Sequence, residues 1–156
     1  MPKSRREFIK SALSIAIYTL TASSGILYSK LAKAFWVKEY FSPDTFENTL
    51  HQLFEDAEFI DSRKIKLSRL PRVAENGSSV PITVSSSLDN VERIYILVEK
   101  NPSPLSAEFV LSPAVETRVS ARLKMAETSD VIVIIEAEGK LYRKSKRVKV
   151  TVGGCS

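Results

Sequence analysis

The chain has one cysteine and one histidine in 156 residues. A single Cys excludes an internal disulfide framework, and a Cys-rich zinc site with it. A single His leaves no material for a His-based metal cage, and a Ser-His-Asp triad would depend on one chance placement. The hydrophobic share of 44% and the charged share of 26% are those of a globular protein, which excludes disorder as the main state. The length fits one domain with a core large enough to need no metal or staple.

Net charge is also missing from most of the chain. The formal charge is +5, yet Lys3, Arg5, Arg6, Lys10, Lys30 and Lys33 face Glu7 alone in residues 1–34, which leaves 17 basic and 17 acidic side chains beyond them. A pI near 9.3 therefore gives no support to nucleic-acid binding by the body of the protein.

The concentrated charge belongs to a different pattern. Arg5-Arg6-Glu7-Phe8-Ile9-Lys10 precedes an apolar stretch from Ser11 to Ser29, and Ala32-Lys33-Ala34 offers small residues where a signal peptidase cleaves. The paired arginines, Arg5 and Arg6, resemble a twin-arginine export signal. The alternative is an uncleaved anchor, since about 19 residues just span a bilayer. Residues 1–34 are read as the signal, with cleavage after Ala34 and a mature periplasmic chain. No Cys stands at the would-be new N-terminus, so a lipoprotein is not expected. A twin-arginine route carries folded cargo, and a partner without its own signal would explain its use.

In the mature chain, Ser42-Pro43 reads as an N-cap followed by proline at the first helical position. Phe46, Leu50, Leu53, Phe54 and Ala57 then recur on one face, predicting an amphipathic helix over about 43–60. His51 falls within it as a surface or rim residue. Beyond Asp61 the period becomes two, with Ile65 and Leu67 alternating with Lys64 and Lys66. Glu75-Asn76-Gly77 reads as a turn. Residues 80–84, 92–99, 105–111, 115–123, 131–138 and 141–152 complete about seven short strands. The breaks fall at Asn101-Pro102-Ser103-Pro104, Ser112-Pro113, 127–130 and Glu138-Gly139-Lys140. This patterning predicts an all-β fold with one N-terminal helix, an immunoglobulin-like antiparallel β-sandwich over 35–152. Lys140, Arg143, Lys144, Lys146, Arg147 and Lys149 form a basic run that is either an anion-attracting stripe or, more simply, a charged strand edge that resists aggregation.

The chain finishes Val150-Thr151-Val152-Gly153-Gly154-Cys155-Ser156. A structural Cys sits inside an element as a small hydrophobe. Cys155 lies past the last strand, behind Gly153 and Gly154, which favour a bendable tether over 153–156. A thiolate there is a good nucleophile, with a free thiol pKa near ~8.5. Four extended residues reach roughly 13–14 Å at ~3.3–3.6 Å each, enough to enter the pockets of other proteins. A catalyst needs its nucleophile held against a base, so the placement suits a carrier better than an enzyme. Two alternatives stay open: a thiol oxidoreductase, which would need a resolving Cys and a base from a partner, and an immunoglobulin-like binding module with an incidental exposed cysteine.

The ending Val-x-Val-Gly-Gly-Cys resembles the carrier arm of the SoxY family, the sulfur-carrying subunits of periplasmic thiosulfate oxidation. Pro71-Arg72-Val73-Ala74-Glu75-Asn76-Gly77 with Val80-Pro81 is similar to that family's Ala-Glu-Asn-Gly segment. Asn101-Pro102-Ser103-Pro104, leading to Ala107 and Phe109, is similar to its Asn-Pro-x-Pro loop, and Thr117-Arg118-Val119 and Gly139 also fit. The resemblance covers most of residues 43–155. It implies an immunoglobulin-like fold and a chain that carries its substrate on Cys155 as a covalent sulfur or thiosulfate adduct, with no other cofactor. Gly153 and Gly154 match the hinge glycines. It further implies a SoxZ-like heterodimer partner, loading of Cys155 by the haem protein SoxAX, sulfate release by SoxB, and in some organisms oxidation by SoxCD. The family's usual ending adds one or two glycines after the cysteine, where this chain has Ser156.

Overall fold

A computed structural model describes residues 38–154. Arg5, Arg6 and the rest of the expected signal lie outside the described residues, as do Cys155 and Ser156. No helix among the described residues is long and apolar enough to cross a membrane.

A short 3₁₀ turn, Lys38–Phe41, precedes the helix α1, Phe46–Phe54. Nine strands follow among the described residues: β1 (Phe59–Asp61), β2 (Ile65–Ser68), β3 (Val73–Asn76), β4 (Val80–Ser86), β5 (Val91–Val98), β6 (Leu105–Val110), β7 (Arg118–Leu123), β8 (Ser129–Ala137) and β9 (Lys140–Val152). The larger sheet runs β1-β9-β8-β5-β6, with β3 also pairing β9, and the smaller runs β2-β4-β7. The expected all-β fold with one helix is present, as two sheets.

The core between the sheets is built from alternate residues of facing strands: Ile65, Val80, Ile82, Val84 and Leu123 from the smaller sheet, and Ile94, Ile96, Val98, Val131, Val133 and Ile135 from the larger. The smaller sheet follows the half-buried alternation read in the sequence. β5 and β8 do not alternate, because both of their faces are covered. Residues 94–98 and 131–135 are buried without interruption, as expected of a strand buried on both sides. The second cover is α1. Phe54, Tyr95, Leu97, Leu105, Ile132 and Ile134 form a separate cluster, with Phe46, Leu50 and Leu53 half-buried against it. Phe54 meets Tyr95 edge-on at 4.9 Å between ring centroids and Phe59 at 5.5 Å.

The helix is shorter than its expected 43–60 range at both ends. Its N-cap is Thr45, whose hydroxyl accepts the Asn48 N–H at 3.2 Å, in place of Ser42 ahead of Pro43. Asp44 adds to the cap by accepting the Thr45 N–H at 2.7 Å, Asn48 Nδ2 at 3.0 Å and Gln52 Nε2 at 2.8 Å. At the other end Glu55 takes φ 52°, which turns the chain out of the helix. Ala57 is therefore exposed and outside the apolar face, and Phe59 starts a strand.

Two further segments differ from the sequence reading. Residues 73–76, read as ending in a turn, form β3, and both β1 and β3 pair with β9 in parallel (Phe59↔Leu141, Val73↔Lys149). The sandwich is thus antiparallel except along this edge. The strand expected over 115–123 begins at Arg118, since Val115 and Arg118 close tight turns through Ser112 O and Glu116 O. The Glu138-Gly139 break is a two-residue hairpin with φ 52° and 67°, the positive values that match the twist of the flanking strands.

Candidate functional site

The C-terminal tail is the one segment that the sequence marks for chemistry, and the end of β9 determines where it leaves the sandwich. β9 is the longest strand, and β1 and β3 line successive parts of the edge that faces away from β8. Its final pairing, Asn76↔Val152, brings the tail beside the 76–79 turn. Gly77 then continues the ladder by donating its N–H to Val152 O at 2.8 Å.

Gly153 and Gly154 do not hang free. Gly153 is exposed, but a Cβ on it would overlap the carbonyl oxygen of Ala126. Gly154 is buried, and its N–H donates to Met125 O at 2.9 Å. Met125 in turn donates its N–H to Gly77 O at 2.7 Å, and its side chain is fully buried in the core. A Cβ on Gly77 would overlap Met125 O and lie 2.8 Å from Gly154 N. Two of the family-like segments, Asn76-Gly77 and Gly153-Gly154, therefore meet on one residue. The sequence expectation of a tether that is loose from Gly153 onward does not describe this geometry, because both glycines pack on neighbouring backbone. Met125 was missed as a positioning element, since nothing marks a buried Met between strands as special.

The basic run of β9 is divided by the strand's pleat and by its partners. Arg143 pairs with Asp61 at 3.2 Å and lies 5.7 Å from the centroid of the Phe59 ring. Arg147 pairs with Asp130 at 3.4 Å, and Lys146 Nζ donates to Leu70 O at 2.5 Å. Lys140 and Lys149 are exposed. This is the charged-edge reading of the run, with several of its charges already answered inside the molecule. His51 is exposed on α1. A pocket of about 170 Å³ between α1 and the larger sheet is lined by Phe46, Leu50, Phe59, Ile132, Ile134 and Arg143 among others, and includes no residue of the tail's root. Groups with displaced pKa values also lie elsewhere. Burial pushes the Tyr95 hydroxyl up, and a hydrogen bond to Tyr95 raises Arg93.

A family model described as "Sulfur oxidation protein SoxY" matches residues 50–155, from within α1 to the cysteine itself. The chain belongs to the SoxY family. The solved SoxY sulfur carrier protein from Chlorobium limicola f thiosulfatophilum is 36% identical, with a TM-score of 0.61 over 68% of this chain and 96% of that one. A superoxide reductase (neelaredoxin) variant from Ignicoccus hospitalis shares the fold alone, at 18% identity and a TM-score of 0.50 over 56% of this chain and 79% of that one. No curated protein matches the chain. The SoxY assignment brings the sulfur-oxidation role expected from the three family-like segments, and the sandwich agrees with it.

Proposed function

We propose that this chain is a sulfur carrier of thiosulfate oxidation, holding its cargo covalently on the Cys155 thiol. The observation that carries the reading is the reach of the family match, which runs to residue 155 and so includes the cysteine with its two preceding glycines. Physical placement supports it. The sequence puts Cys155 directly after Gly154 and past the end of β9, outside the alternating positions of any strand.

Loading joins Cys155 Sγ to the outer sulfur of thiosulfate, with loss of the thiol proton and of two electrons that a SoxAX-like haem protein accepts. Water then releases sulfate from the adduct under a SoxB-like hydrolase, leaving a persulfide on Cys155. Where a SoxCD-like enzyme is present, it oxidises that remaining sulfur. The chain itself holds and presents the cargo, and the chemistry belongs to the visiting enzymes. A SoxZ-like subunit forms the heterodimer, and Arg5 and Arg6 direct the folded pair to the periplasm.

The test is intact mass after incubation with thiosulfate and a loading enzyme. The wild type should gain a thiosulfate-sized adduct on the C-terminal peptide, and Cys155→Ser should gain none while keeping its melting temperature. An adduct persisting in Cys155→Ser would overturn the reading.

A further inference from the structure

The loop 101–104 follows β5 and serves two places in the fold. Ser103 Oγ donates to Phe41 O at 2.6 Å, and Pro102 O accepts the Asp44 N–H at 3.0 Å, which ties the helix side of the molecule down. Asn101 reaches a different segment. Its Nδ2 donates to Lys124 O at 2.7 Å, and its Oδ1 accepts the Ala126 N–H at 2.9 Å. The two contacts bracket Met125, the residue whose backbone bonds both Gly77 and Gly154.

We propose that Asn101 is a positioning residue for the carrier thiol, acting through the 124–126 backbone to hold Gly154 against Gly77 and so to fix where Cys155 leaves the protein. An amide is required because one contact needs a donor and the other an acceptor, and of the small side chains only Asn offers both from one rigid group. The backbone of 124–126 is outside any strand, so its order comes from the two Asn101 bonds together with the backbone bonds and buried side chain of Met125. With Gly154 held, the carrier cysteine is one residue in sequence beyond a fixed backbone point. Partner enzymes would meet a sulfur presented beside the 76–79 turn and the 124–126 segment, and would read that surface together with the cargo. The functional consequence rests on the carrier reading, whereas the anchor itself does not.

Amide hydrogen exchange at Gly154 in the full chain tests the anchor directly. Protection of at least about tenfold over an unstructured tail is expected in the wild type. Asn101→Ala should lose that protection while core amides such as Val133 keep theirs. A fluorophore on Cys155 should show higher anisotropy in the wild type than in Asn101→Ala. Exchange at the unprotected rate in the wild type, or equal protection and equal anisotropy in the two proteins, would overturn the proposal. Protection that holds while Cys155 takes up no sulfur would retain the anchor and reject the carrier reading.

Discussion

The backbones of Gly77 and Gly154 lie in contact: a Cβ on Gly154 would sit 2.7 Å from the Gly77 carbonyl carbon and from the Ser78 Cα. Neither glycine has positive φ, so each is needed for close approach and not for a special backbone conformation. The two are 77 positions apart in sequence, and each belongs to a segment that resembles the SoxY pattern. Gly-Gly before the cysteine is thus in part a packing requirement.

Proline at Gly154 should therefore cost stability as well as mobility. It removes the N–H that bonds Met125 O and places ring atoms against Gly77 and Ser78, for an expected loss of about 1–3 kcal/mol. Urea denaturation measures this, and a midpoint equal to that of the wild type would mean that the contact is not kept in solution.

Phe54→Ala should loosen α1 from the larger sheet. Phe54 is 8% exposed and supplies edge-on contacts to both Tyr95 and Phe59. Truncating a buried Phe costs about 3–5 kcal/mol. The loss should appear as a lower melting temperature with far-UV strand signal retained below it, and a variant that melts with the wild type would contradict the packing described.

Asp44 gives a pH dependence with a definite sign. The Asn48 side-chain amide, followed by the Thr45 N–H, holds its carboxyl below the ordinary aspartate value. A carboxylate with a lowered folded pKa adds stability that is full above the unfolded value and is lost as pH falls through the folded one. Following the Asn48 side-chain NH₂ resonances during acid titration should show a midpoint below that of a free aspartate. Asp44→Asn should abolish that transition and leave the neutral-pH fold in place.

Export should depend on the arginine pair. Changing Arg5 and Arg6 to Lys should retain both this chain and its SoxZ-like partner in the cytoplasm, because the partner is proposed to travel already bound. Fractionation measures this, and a partner still reaching the periplasm would reject joint export.

Much of the fold is legible in local sequence. Alternation in 118–123 and the apolar run of 131–135 reflect burial on one face or on both, and the Glu138-Gly139 hairpin follows from turn chemistry. The helix was readable from Phe46, Leu50, Leu53 and Phe54, but its ends were not. Asp44-Thr45 forms a capping set only when Asn48 and Gln52 close on it, and the stop at Glu55 is a backbone conformation that the residue type does not announce. β1 and β3 were not legible as strands, because Phe59-Ile60-Asp61 and Val73-Ala74-Glu75-Asn76 lack the apolar–polar alternation that marks Ile65 and Leu67 in β2. Their pairing partner is chosen by the length of β9.

By itself the sequence determined that β-rich patterning is followed by a cysteine behind two glycines, because period, turn residues and chain position are local properties. Only the tertiary structure decided what those glycines do. Gly77, Asn101, Met125 and Gly154 come from four separate segments, and their contacts exist only once β3 has paired with the far end of β9. Hydrogen bonds of 2.7–2.9 Å between residues that distant leave no local trace in composition or spacing.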